Sequence, residues 1–105
     1  MDKYRAGGLK GATINISEEL HIKFKQRVIA DRSTKKKMII VLLEKFLKRP
    51  TKLKTRERKP VDIPVSFFIP KKLKVELAKW LADNDATVQD VIYTVMMNYV
   101  EEWKL

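Results

Sequence analysis

The chain has 105 residues, enough for one modest core, with 45% hydrophobic and 34% charged side chains. Twenty-three Lys and Arg against 13 Asp and Glu leave a net charge of +10, an excess that points to an anionic partner, nucleic acid before a membrane surface. No run of about 20 apolar residues occurs and no apolar segment follows the N-terminus, so no membrane span or signal peptide is expected; with no cysteine, disulfides and thiolate metal sites are excluded and an intracellular location is expected.

Residues 1–10 (MDKYRAGGLK) read as a flexible basic arm with Lys3, Arg5 and Lys10 beside glycines. Ala12, Ile14 and Ile16 then alternate with Thr13 and Asn15, the period-two pattern of a strand with one buried face. Ser17 is placed to cap a helix whose first turn holds Glu18 and Glu19, the charge that this end favours. Leu20, Phe24 and Val28 recur every four residues along it to about Asp31, and His21 is expected on its exposed side. The stretch DRST breaks the helix, and Ser33 is expected to cap a second helix from about Thr34 to Lys48, before Pro50. Residues 50–61 form a basic, proline-bounded linker, expected to be exposed. A strand at 64–69 and helices near 71–83 and 87–103 follow, with Pro70 at a helix start and a break at DNDA.

Two features stand out in that series. The segment Met38–Leu43 (MIIVLL) is apolar nearly all round, as in helices that are buried. Directly before it, Lys35, Lys36 and Lys37 occupy the first helical turn, where unpaired N–H groups and the helix dipole disfavour cations. Lysines in that place are explained if the turn holds an anion.

Sliding the chain against itself by 53 positions aligns the halves without a gap. Ile14 then meets Phe67, Leu20 meets Leu73, Phe24 meets Leu77, Val28 meets Leu81, Ile39 meets Ile92 and Phe46 meets Tyr99. The pattern is a duplicated unit of strand, helix and helix. Charge divides the copies: residues 1–50 carry net +8, residues 51–60 net +4 and residues 61–105 net −2. A lone strand leaves its backbone groups unpaired, so each unit needs a second copy, either within the chain or in another one.

Strand, helix and Ser/Thr-capped helix of these lengths, twice over, resemble the ribbon-helix-helix (Arc/MetJ) superfamily of DNA-binding proteins over about residues 11–48 and 64–101. Its tandem, lysine-rich, cysteine-free form is similar to transcription regulators of archaeal filamentous viruses, which would place the protein in the host cytoplasm. The resemblance implies a mainly α fold with a short β-ribbon, built from a first DNA-binding unit (residues 11–49) and a second structural or assembly unit (62–105). It implies a sequence-specific double-stranded DNA-binding transcription regulator that self-associates, as an internal pseudo-dimer or a homodimer. The ribbon would enter the major groove with Thr13 and Asn15 reading bases, chemistry that fits independently because Asn bonds adenine and a Thr methyl packs on thymine. Ser33, Thr34, Lys35, Lys36 and Lys37 would anchor a phosphate at the helix start. Apart from the resemblance, Lys3, Arg5 and Lys10 could follow the DNA backbone or belong to a frayed tail, and the linker's Lys52, Lys54, Arg56, Arg58 and Lys59 could do likewise or keep the linker soluble.

In the second unit the pseudo-equivalent strand positions are Ser66 and Phe68, and TVQD resembles a capping box from Thr87 to Asp90 without lysines. Its role is expected to be structural. Trp80, Tyr99 and Trp103 fit helix spacing and are expected in the core or an interface. No nucleophile–base pair or metal-ligand cluster is visible, so neither an enzyme nor a cofactor is expected. The alternatives are a protein-interaction module such as an antitoxin, or a non-specific nucleic-acid-binding protein; no RNA-recognition motif is visible.

Overall fold

A computed structural model describes residues 9–55 and 59–103, with side chains from residue 11 onward. The elements run β1 (Leu9–Ile16), α1 (Glu18–Ala30), α2 (Lys35–Lys48), β2 (Ile63–Pro70), α3 (Lys71–Asp83) and α4 (Val88–Glu101). The protein is mostly helical, with one two-stranded antiparallel sheet formed within the chain. The strand begins earlier than its alternation indicates: Leu9 and Lys10, assigned above to the arm, pair with Pro70 and Ile69. Apolar alternation is absent there, and only the partner strand fixes the boundary.

The strands pair from Leu9↔Pro70 to Ile16↔Ile63. Ala12, Ile14 and Ile16 point inward with Val65, Phe67 and Ile69. The opposite side carries Gly11, Thr13 and Asn15 beside Phe68, Ser66 and Pro64. In an antiparallel pair, residues on one side point their N–H and C=O toward the partner strand, and those on the other point them away. The Asn15 backbone bonds outside the sheet, to the Gln89 amide, so the outward-facing residues are those not bonded across the ladder. Pro64 and Pro70 both occupy such positions, which is how an eight-residue strand accommodates two residues without N–H groups.

The helices cover the inner side of this ribbon. Phe24 of α1 is fully buried and meets Phe67 of β2 (centroids 6.4 Å apart) and Tyr99 of α4 (5.6 Å), both edge-on. Around it pack Ile39, Leu43 and Phe46 of α2, Leu73 and Leu77 of α3, and Val91, Ile92, Val95 and Met96 of α4. The apolar run of α2 is covered on most sides, but Val41 stays 42% exposed. Two ring contacts lie at positions 53 apart from each other. Phe46 meets Trp80 edge-on at 4.9 Å, whereas Tyr99 carries the Arg27 guanidinium 4.0 Å above its ring. Arg27 also donates to the Tyr99 carbonyl, and the Tyr99 hydroxyl donates to Asp31 at 2.5 Å. Burial first, and that bond second, push the phenol pKa well above its ordinary value, so it stays a donor. Trp103 is half-buried just past the end of α4.

Both helix-to-helix turns use a residue with positive φ, Arg32 (56°) and Asp85 (50°). After α1 the chain closes with Arg32 N–H on the Ile29 carbonyl and Ser33 N–H on the Val28 carbonyl, a Schellman turn. This moves the cap of α2. Ser33 is used in ending α1, so Thr34, with extended backbone, becomes the N-cap in place of the expected Ser33, and its hydroxyl accepts from Lys37 N–H at 3.2 Å. The left-handed residues carry a Cβ that the conformation disfavours. Asp85→Gly is expected to stabilise the fold by about 1 kcal/mol, read as a higher urea midpoint at unchanged slope; a lower midpoint would mean that the Asp85 side chain contributes more than the strain removes.

Candidate nucleic-acid interface

On the outer side of the ribbon Thr13 lies opposite Ser66, their hydroxyls 2.8 Å apart. Phe68, opposite Gly11, is 56% exposed. A large side chain beside a glycine leaves the aromatic face uncovered. Asn15 is held from outside: its N–H donates to Gln89 Oε1 at 2.9 Å, and Gln89 Nε2 donates to its carbonyl at 2.8 Å. The Gln89 amide thus bonds the strand backbone as a neighbouring strand would. The side-chain amide of Asn15 makes no hydrogen bond among the described residues and remains available. Gln89 was not singled out in the sequence, where it is an ordinary polar residue in a first helical turn; only its approach to β1 gives it this role.

The start of α2 lies beside β2. Thr34 satisfies the Lys37 N–H, and the N–H groups of Lys35 and Lys36 have no partner among the described residues. The three lysines do not act alike. Lys35 is half-buried and turns back onto α1, where its Nζ lies 3.2 Å from His21 Nε2. Lys36 is exposed with Nζ 6.0 Å from the Phe68 ring, which brings it to the ribbon's outer side, and Lys37 is exposed to solvent. Ser33 is half-buried, its hydroxyl directed at the Thr34 carbonyl.

His21, expected on the exposed side of its helix, is half-buried against Lys35. Burial lowers its pKa first, then the charges of Lys35 and Lys25, with Glu18 opposing. The ring is therefore neutral at pH 7, and Nε2 serves as the acceptor for the Lys35 ammonium.

At the start of α4, Thr87 accepts from Asp90 N–H at 3.1 Å. No bond returns from the Asp90 carboxylate among the described residues, so the expected capping box forms only its forward half. A carboxylate is one methylene shorter than that of Glu. Helix α3 also begins with lysines, Lys71 and Lys72, exposed and without a side-chain cap. They follow directly on the Phe68–Pro70 end of β2 and carry the same signal as Lys35–Lys37, which the sequence reading passed over.

The linker departs from expectation. Leu53 and Lys54 are half-buried, and Lys54 is bound to α4, so Lys54 is not an open cation; Lys52 and Lys59 are exposed. Lys3, Arg5, Arg56, Arg58 and the Lys10 side chain lie outside the described residues. Among the described residues no cluster of three His, Asp or Glu is placed to hold a metal ion, and no helix is long and apolar enough to cross a membrane. Comparison with family models, curated proteins and solved structures gave no match.

Proposed function

We propose that the chain is a tandem ribbon-helix-helix protein that binds double-stranded DNA in a sequence-specific manner and regulates transcription. The observation that carries this reading is the start of α2, where two unpaired N–H groups and two exposed lysines adjoin the exposed side of the ribbon. A phosphate there would satisfy the N–H groups and complement the dipole, and the lysines would displace counterions. The ribbon offers Thr13 and Asn15 to base edges, with Ser66 and Phe68 as their dissimilar partners.

A duplicated origin is supported by three coincidences under the 53-residue shift. Thr13 pairs with Ser66, its own counterpart, so an approximate twofold axis would pass between them. The two left-handed residues correspond, and so do the Phe46–Trp80 and Tyr99–Arg27 contacts. Such a pseudo-dimer would be an asymmetric reader, basic where α2 flanks the ribbon and closed by Gln89 where α4 does.

Gel shifts with duplex DNA, single-stranded DNA and RNA across a salt series test the class of partner, duplex being expected to bind tightest. Within it, Asn15→Ala is expected to cost about 1–3 kcal/mol on a selected site and little on random duplex. An unchanged specificity ratio would remove the ribbon from the groove.

A further inference from the structure

The segment joining the halves is a strap docked on α4. Lys54 donates its N–H to Thr94 Oγ1 at 2.7 Å, and that hydroxyl donates back to the Lys54 carbonyl at 3.2 Å. Lys54 Nζ reaches Asn98 Oδ1 at 2.8 Å and Glu101 Oε1 at 3.1 Å, and Leu53 packs against the core. Thr94 is fully buried beneath it, a polar side chain satisfied by one backbone residue.

Under the 53-residue shift the docking face Thr94, Asn98 and Glu101 becomes Val41, Lys45 and Lys48 on α2. Among the described residues the side chains of Val41, Lys45 and Lys48 make no hydrogen bond or ion pair, and Thr51 at the start of the strap lines the space beside them. Val41 is exposed, and a cleft of about 660 Å³ opens beside it between α1, α2 and α4. Arg27 and Tyr99 line this cleft with the guanidinium 4.0 Å from the ring centroid, whereas Trp80, the counterpart of Arg27, stands against Phe46.

We propose that this face of α2 docks a short acidic segment of a partner protein, laid as the strap lies on α4, with an apolar residue on Val41 and carboxylates on Lys45 and Lys48. The charge argument is direct. On α4 a basic strap meets Asn98 and Glu101; on α2 the same positions are basic, joined by Arg49 on the cleft wall. Of the two acids that also line the cleft, Asp31 is paired with Arg27, which leaves Glu102 against three cations. None of Lys45, Lys48 and Arg49 is in an ion pair among the described residues. Met38, Val41 and Leu42 give the cleft an apolar lining, which suits a side chain of a peptide and not a phosphate. Val41 lacks the hydroxyl of Thr94, so recognition rests on apolar contact and charge and gives a modest affinity. The face is separate from the ribbon, and the proposal stands whether or not the chain binds DNA.

The test is an NMR titration of the whole ¹⁵N-labelled chain with two peptides. One is residues 49–55 as they occur here, and the other is the same segment with Lys52→Glu and Lys54→Glu. The acidic peptide is expected to shift amides of Val41–Lys48 saturably, with the natural one about tenfold weaker or worse. Val41→Asp, at an exposed position, is expected to abolish the shifts, while Lys36→Ala with Lys37→Ala leaves them in place. Equal response to both peptides, no saturable response, or shifts centred on Thr13 and Lys36 would overturn the proposal. A loss of duplex binding in Val41→Asp comparable to that of the lysine variant would instead assign the face to nucleic acid, and would equally overturn it.

Discussion

Phe24→Ala is expected to lower the unfolding free energy by about 3–5 kcal/mol, the usual cost of emptying a buried phenylalanine site. A domain of this size has roughly 5–15 kcal/mol in total, so the variant would melt at least about 10 °C lower. The position is diagnostic because Phe24, in the first half of the chain, meets Phe67 and Tyr99 in the second. Its loss is therefore expected to weaken the whole molecule in one cooperative transition, measured by circular dichroism against urea. Two separated transitions, one unmoved, would mean that the halves fold independently. Ile29→Ala, on the same helix but 73% exposed, is expected to change stability by no more than about 0.5 kcal/mol.

The second large effect concerns salt. Each phosphate neutralised by a lysine contributes a slope of about 0.9 to the dependence of log affinity on log salt. If the chain binds DNA as proposed, Lys36→Ala with Lys37→Ala should flatten that slope by about 1.8. Extrapolated from 1 M, where counterion release contributes nothing, the same slope gives about a 30-fold loss at 0.15 M salt. The loss should be equal on selected and random duplex, since phosphate contacts carry no sequence information. Fluorescence anisotropy over a salt series measures both quantities, and an unchanged slope would remove the start of α2 from the interface. Lys35 is left intact in this design because its ammonium faces His21, and changing it would alter the packing of α1 on α2.

Alternation and four-residue spacing made the elements legible. The inward residues Ile14, Ile16, Leu20, Phe24 and Val28 are buried as their periods require. The 53-residue match between the halves was legible because it rests on apolar positions, which carry the periodicity of the elements. Features decided by tertiary contact were not visible. Whether Ser33 or Thr34 caps α2 depends on which of them the Schellman turn takes, and both are good caps. The strap gives no sequence signal, since a lysine-rich segment looks solvated until Asn98, Glu101 and Thr94 are brought to it. His21 and Lys35 are 14 residues apart, and their contact follows from the angle between α1 and α2, which no local pattern encodes.

A two-stranded ribbon with both long sides open is a template for any other extended chain, its own nascent copies included. Here each side is blunted by a different device. Along β1, the Gln89 amide occupies both outward groups of Asn15, and the Lys74 ammonium lies 3.5 Å from the Gly11 carbonyl. Along β2, Pro64 and Pro70 have no outward N–H to offer. A third strand could be bonded on neither flank without gaps. The ribbon is therefore expected to stay two strands wide, so that its outer face, the exposed Phe68 included, can stand open to solvent without recruiting a further strand.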